Sequence, residues 1–166
     1  MSDAELISRI SNMIIMVTLS MSNDNMNRCK HYLSDELFNK LSNRVLENKN
    51  VGRREMFDEP NVSTVSIISK TNENNKEVVK AKILFKAVHY YNTYESYEYI
   101  DGDNYNKEHF EYIVTLEKDE GIENIMYKCP HCGADVDVTY NGICIYCSMP
   151  YDFQGKDYII TNYELN

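Results

Sequence analysis

Four cysteines in two tight pairs carry the clearest chemistry in this sequence. Cys129 and Cys132 stand two residues apart, eleven residues follow, and Cys144 and Cys147 repeat the spacing. Two such knuckles fit the tetrahedral shell of a structural zinc ion, since each Cys-x2-Cys turn places two sulfurs beside one metal. Gly133, directly after the second sulfur, suits a tight turn that aims backbone N–H groups at sulfur. Val136, Val138 and Tyr140 alternate toward Asn141-Gly142, which predicts a β-hairpin between the knuckles. A redox centre needs only one pair, at a helix start, and merely buried thiols would not repeat in matched pairs. Four protein ligands close the shell to water. The expectation is therefore one structural Zn2+ per chain, held by Cys129, Cys132, Cys144 and Cys147. His131 reads as an exposed passenger of the first knuckle, and Cys29 as a small buried hydrophobe.

A second candidate is His89. It shares parity on one strand with Val79, Ala81, Ile83, Phe85 and Ala87, and Tyr91 follows on the same row. With Tyr112 from a later strand, Ile83, Phe85, Ala87, His89 and Tyr91 are the expected lining of a ligand pocket. No Asp or Glu shares that inward row, so His89 is expected to bond to backbone or Tyr with no second acid or base beside it. Asp101-Gly-Asp103 lacks the later ligands of a calcium loop and reads as a turn. Arg53-Arg54 reads as a solvated pair.

The elements that must hold these residues follow from periodicity. Ser2-Asp-Ala-Glu5 is a capping box, and Leu6, Ile10, Met13, Ile14, Val17 and Met21 then trace one helical face. Ser34 opens a second helix with Asp35 and Glu36 in its first turn, carrying Leu37, Phe38, Leu41, Val45 and Leu46 until Asn48 to Gly52 end it. A short helical segment holding Cys29 is expected between them. From Val62 the period becomes two. The clearest strand is Glu77 to Tyr91, with Lys80, Lys82 and Lys86 facing away from the apolar row. Tyr94 to Ile100 is a shorter strand, Asp101 to Asn104 a turn, and Phe110 to Leu116 one more half-buried strand. Helices first and an antiparallel meander after them make an α+β fold. The division expected is residues 1–122 as the body and 123–166 as a ribbon too small to fold without metal.

Composition limits the partners. The chain has 166 residues, 43% of them apolar, and a formal charge of −9, a field that repels nucleic acid. The tail sets six carboxylates against Lys128 and Lys156, so its ribbon is expected to contact protein and not phosphate. The apolar run Met13 to Leu19 is far short of the roughly 20 residues of a membrane span. Asp3 and Glu5 before the run, offset only by Arg9, do not suit a secretory leader, and paired cysteines suit a reducing compartment, so the expected location is cytoplasmic. Fourteen Tyr, no Trp and the Asn-rich stretch Thr71 to Lys76 suggest coding bias as much as function.

The chain as a whole resembles the bacterial Tim44-like domain proteins that end in a short zinc ribbon. Tyr32-Leu-Ser-Asp-Glu-Leu-Phe38 looks like the opening of that family's second long helix. Ala81-Lys-Ile-Leu-Phe85 and Phe110-Glu-Tyr-Ile-Val114 look like its strands, and Lys128 to Gly133, Cys144 to Cys147 and Asp157 to Thr161 like its closing ribbon. Where the family often has Trp and Arg near the late strand and Trp in the closing strand, this chain has Tyr112, Thr115 and Tyr158. The resemblance implies a cone of helices on a curved antiparallel sheet, similar to nuclear transport factor two, with a pocket inside. It also implies a non-enzymatic module that binds a protein partner or apolar ligand, with a link to protein transport or membrane-associated assembly. A homodimer is a further option. The alternative is an enzyme that uses a pocket His or Tyr for acid–base work.

Overall fold

The computed structural model describes residues 2–120, 129, 131–135, 143–149 and 157–165. The first helix, α1 (Asp3–Ser22), starts on the capping box: the Ser2 hydroxyl accepts from the Glu5 N–H at 3.2 Å, and the Glu5 carboxylate accepts from the Ser2 N–H at 2.7 Å. Its stripe from Leu6 to Met21 is buried, 7% exposed at most. The apolar run expected to be too short for a membrane lies in a 20-residue helix that meets the length and composition of a span. In this fold its stripe packs along the sheet.

Two 3-10 turns, Met26–Arg28 and Lys30–Tyr32, flank Cys29, which is fully buried and whose thiol is pushed up to about 11 by that burial. Helix α2 (Asp35–Asn50) opens with the Ser34 hydroxyl accepting from the Leu37 N–H. Leu46, expected on its buried face, is 50% exposed. Asn48 takes a buried place instead, donating to the Arg44 carbonyl and accepting from Arg53 Nε at 2.7 Å.

Four antiparallel strands follow in the order β1 (Arg53–Glu73), β2 (Lys76–Thr93), β3 (Tyr99–Asp119) and β4 (Ile159–Leu165). The Asn-rich stretch has a structural use, since Asn74 and Asn75, both at positive φ, turn β1 into β2. Between β2 and β3 the structure departs from expectation. The turn lies at residues 94–97, closed by the Thr93 N–H donating to the Glu98 carbonyl at 2.7 Å, and Asp101 to Asn104 lie inside β3. Gly102 is needed there for a different reason. At φ +88 it packs on β2, and a Cβ would sit 2.8 Å from the Tyr90 Cα. Asp103 accepts from the N–H groups of Tyr105 and Asn106 through one oxygen and from the Asn106 side-chain amide through the other, which holds the bulge in β3.

The inner face is apolar across all strands. Val79, Ala81, Ile83, Phe85 and Ala87 are at most 1% exposed, opposite Val62, Val65 and Ile67 of β1 and Phe110, Tyr112, Val114 and Leu116 of β3. Breaks in register between Asp58 and Asn61, Val62 and Thr64, and Ile67 and Ser69 bend β1 around this core. β4, which the expected division places in the ribbon, pairs with β3 from Tyr112 to Glu117 and bridges Leu33 through Ile160. Its inward Ile160 is 1% exposed, and apolar burial on the sheet explains why the strand joins it. Asp157, just before β4, pairs with Arg9 of α1.

Candidate metal centre and aromatic groove

The two knuckles have the same backbone. The Cys129 N–H donates to the Ala134 carbonyl and the Gly133 N–H to the Cys129 carbonyl; likewise Cys144 donates to Met149 and Ser148 to Cys144, all at 2.8 to 2.9 Å. The residue after the second sulfur is left-handed in each, Gly133 at φ 75 and Ser148 at φ 62. This turn brings the four sulfurs within 4.8 Å of one another. Across the knuckles, Cys129 lies 3.6 Å from Cys147, and Cys132 lies 3.7 Å from Cys144. Zinc–sulfur bonds of about 2.3 Å give a tetrahedron edge of about 3.8 Å, so the donor set has the size and chemistry to hold a metal ion. The Cys147 N–H, aided by that of Tyr146 and opposed by burial, brings the Cys144 thiol down to about 6. His131 is exposed and outside the cluster. The hairpin expected from Val136 to Gly142 lies outside the described residues.

The expected pocket divides into three parts. Ile83, Phe85 and Ala87 are packed core under the helices, with no exposed surface above 1%. Tyr91 lines an open cavity of about 360 Å³ with Arg44, Asn48, Arg53 and Glu55, between the end of α2 and β1. Tyr112 lines a groove of about 450 Å³ with Lys40, Leu41 and Arg44 of α2, Phe110 of β3, and Tyr163 and Glu164 of β4. The Tyr112 and Tyr163 rings stack 4.5 Å apart, and Phe110 continues the row at 5.9 Å. Parity along the closing strand groups Tyr163 with Ile159 and Thr161, away from the inward Ile160, and only the register break between Ile160 and Asn162 turns its ring onto Tyr112.

His89 does not stand as expected. Its Nε2 lies 2.8 Å from Glu55 and its Nδ1 2.8 Å from Glu108, and its ring stacks on Phe57 at 4.5 Å. The carboxylates come from the neighbouring strands: Phe57 is the cross-strand partner of His89, Glu55 is two residues away, and Glu108 is opposite Ala87. Glu55 is 6% exposed and also accepts both Arg44 Nε at 2.8 Å and Nη2 at 2.7 Å. Burial pushes Glu55 up, but His89 and Arg44 outweigh it and hold the carboxyl at about 2. Burial lowers His89, and the two carboxylates reverse this and raise it above its ordinary value. With both ring nitrogens donating, His89 serves as a protonated clasp across β1, β2 and β3.

Arg53 and Arg54 are not simply solvated. Arg53 lies over the Tyr91 ring at 4.4 Å. Arg54 is 8% exposed, donates to the last carbonyls of α1 and of Tyr94, and stacks on Tyr94 at 4.3 Å and Tyr97 at 4.7 Å.

Against known proteins, the Tim44-like domain family is matched over residues 2–128. Among solved structures, the intermembrane space region of the chloroplast protein ARC6 has the same fold at a TM-score of 0.55 and 12% identity, over 99% of this chain and 96% of that one. No curated protein matches by sequence. Helices on a four-stranded antiparallel sheet, with the match spanning most of the chain, place this protein in the Tim44-like domain family.

Proposed function

We propose that the protein is a non-enzymatic binding module whose groove between α2 and the β3–β4 edge receives a protein segment or apolar ligand. One observation carries this reading: the interior of the sheet is filled by its own side chains, while Phe110 and Tyr163, both half-buried, flank an open groove of about 450 Å³ whose floor is the buried Tyr112 and Leu41. Lys40 and Arg44 give the groove a cationic rim, and Glu164 adds one carboxylate. Family membership and the ARC6 likeness support a scaffold role in a membrane-associated assembly or in protein transport; the paired cysteines, which suit a reducing compartment, favour the cytoplasm as its location. The cysteine cluster takes zinc, since four thiolates of this spacing suit its tetrahedral, redox-inert chemistry, and the closed shell makes it structural. The partner is a second protein or a second copy of the chain.

An acid–base enzyme would need a His89 nitrogen facing substrate, and both are held by carboxylates. A photo-crosslinking residue in place of Lys40 tests the groove in cells. A discrete adduct, protein or lipid by mass, is expected at this position and not at Leu46 on the outer side of α2. Equal labelling at both positions would remove the groove from consideration.

A further inference from the structure

A different surface lies at the far end of the β2–β3 hairpin. Residues 95–109 are exposed without interruption and hold five carboxylates, Glu95, Glu98, Asp101, Asp103 and Glu108, against Lys107 alone. Among them are exposed rings: Tyr97 at 55%, Tyr99 at 53% and Tyr105 at 87%. Apolar rings left in water among charges mark an interaction surface more often than chance. Their arrangement says what they accept. At this same end Arg54 already lies against Tyr94 and Tyr97, and Tyr99 stands 6.5 Å from Tyr90, so the turn presents ring faces as stacking platforms. A guanidinium is planar, weakly hydrated and attracted to ring faces, and the carboxylates around the rings complete its recognition.

We infer that the β2–β3 hairpin end, through Tyr97, Tyr99, Tyr105 and the carboxylates between them, docks an arginine-rich segment of another protein. The charge balance of the run rejects acidic and nucleic-acid partners, and the stacking favours arginine over lysine. This surface is separate from the α2 groove, so the two proposals stand or fall apart.

The test is fluorescence anisotropy on the full chain, with a labelled peptide of four Arg-Ser repeats and a Lys-Ser peptide of equal length. The Arg-Ser peptide should saturate one site, bind more tightly than its lysine counterpart, and weaken with added salt. The double variant Tyr99→Ser, Tyr105→Ser should weaken it about fivefold or more, because two exposed cation–π contacts are lost. Tyr99→Phe with Tyr105→Phe, which keeps the rings and controls for folding, should restore it. Glu95→Gln with Glu98→Gln should flatten the salt dependence, and Phe110→Ser in the groove should leave binding unchanged. Equal binding of both peptides, or wild-type affinity in the Tyr→Ser pair, overturns the inference, since either means that overall charge alone attracts them. So does sedimentation showing a dimer that the Tyr→Ser pair dissolves, which assigns the surface to a second copy.

Discussion

Replacing Glu55 with Gln keeps the shape of the clasp and removes its charge. In the native chain this carboxylate is buried, receives a two-pronged Arg44 and one nitrogen of His89, and lies 3.3 Å from the Tyr91 hydroxyl. From an ordinary value of 4.5 to about 2 in the fold, its ionisation contributes on the order of 3 kcal/mol above pH 4.5. That stability is lost as pH falls from 4.5 toward 2. His89 has the opposite sign: its value is raised, so its contribution is full below about 6.5 and is lost as pH rises through the folded value. The clasp is therefore strongest between about pH 5 and 6.5, where both charges coexist. Glu55→Gln should lose about 2–3 kcal/mol in urea unfolding at pH 6, because Arg44 and His89 lose their shared anion. By NMR, His89 should titrate at a lower pH in the variant. A loss under about 0.5 kcal/mol, or an unmoved His89 titration, would show that the clasp contributes nothing beyond packing.

Purified protein should hold one zinc per chain by elemental analysis, and metal-free protein with four freely reactive thiols would remove the metal from the proposal. Cys132→Ser should release that zinc and open the knuckles to proteolysis while leaving the sheet folded. The roughly 40 residues between β3 and β4 shorten to about 20 when the metal ties Cys129 to Cys147, so losing the tie costs β4 only about 0.5 kcal/mol in loop closure. A Tm fall beyond a few degrees would mean the knuckles brace the sheet directly. Ser148→Gly, at φ 62 where the first knuckle has Gly133, should raise metal affinity severalfold in a chelator competition, since a left-handed residue with a Cβ costs about 1 kcal/mol. Gly102→Ala should destabilise by about 2–3 kcal/mol in denaturant, from positive φ and a Cβ pressed on Tyr90.

The features legible in the sequence were local ones. The Ser2 and Ser34 caps, the row from Val79 to Ala87 and the repeated cysteine knuckles each sit within one or two turns of chain, where spacing alone determines which residues meet. The clasp was not legible, because Glu55 and Glu108 reach His89 through cross-strand register, and β1 shifts register three times. A row read along one strand cannot show its neighbours. The position of the hairpin turn is hidden for a related reason. Tyr94-Glu-Ser-Tyr97 has only Ser96 among the usual turn residues, while Asp101-Gly-Asp-Asn104 is made of them and uses them for a bulge. β4 follows the cysteines in the chain, so sequence order groups it with the ribbon, while its pairing with β3 and the burial of Ile160 make it part of the sheet.

The N–H of Ser34, where α2 begins, donates to the Ile160 carbonyl at 3.0 Å, so an early helix is joined to the last strand. During synthesis at roughly 5–20 residues per second, β3 is complete some 2–9 s before β4 exists to cover its edge. Through that interval Tyr112 to Glu117 offer an unpaired strand edge, the kind that recruits other chains. The family match ends at residue 128. A chain cut there would make this nascent exposure permanent, leaving both the Ser34 N–H and the β3 edge without their partner.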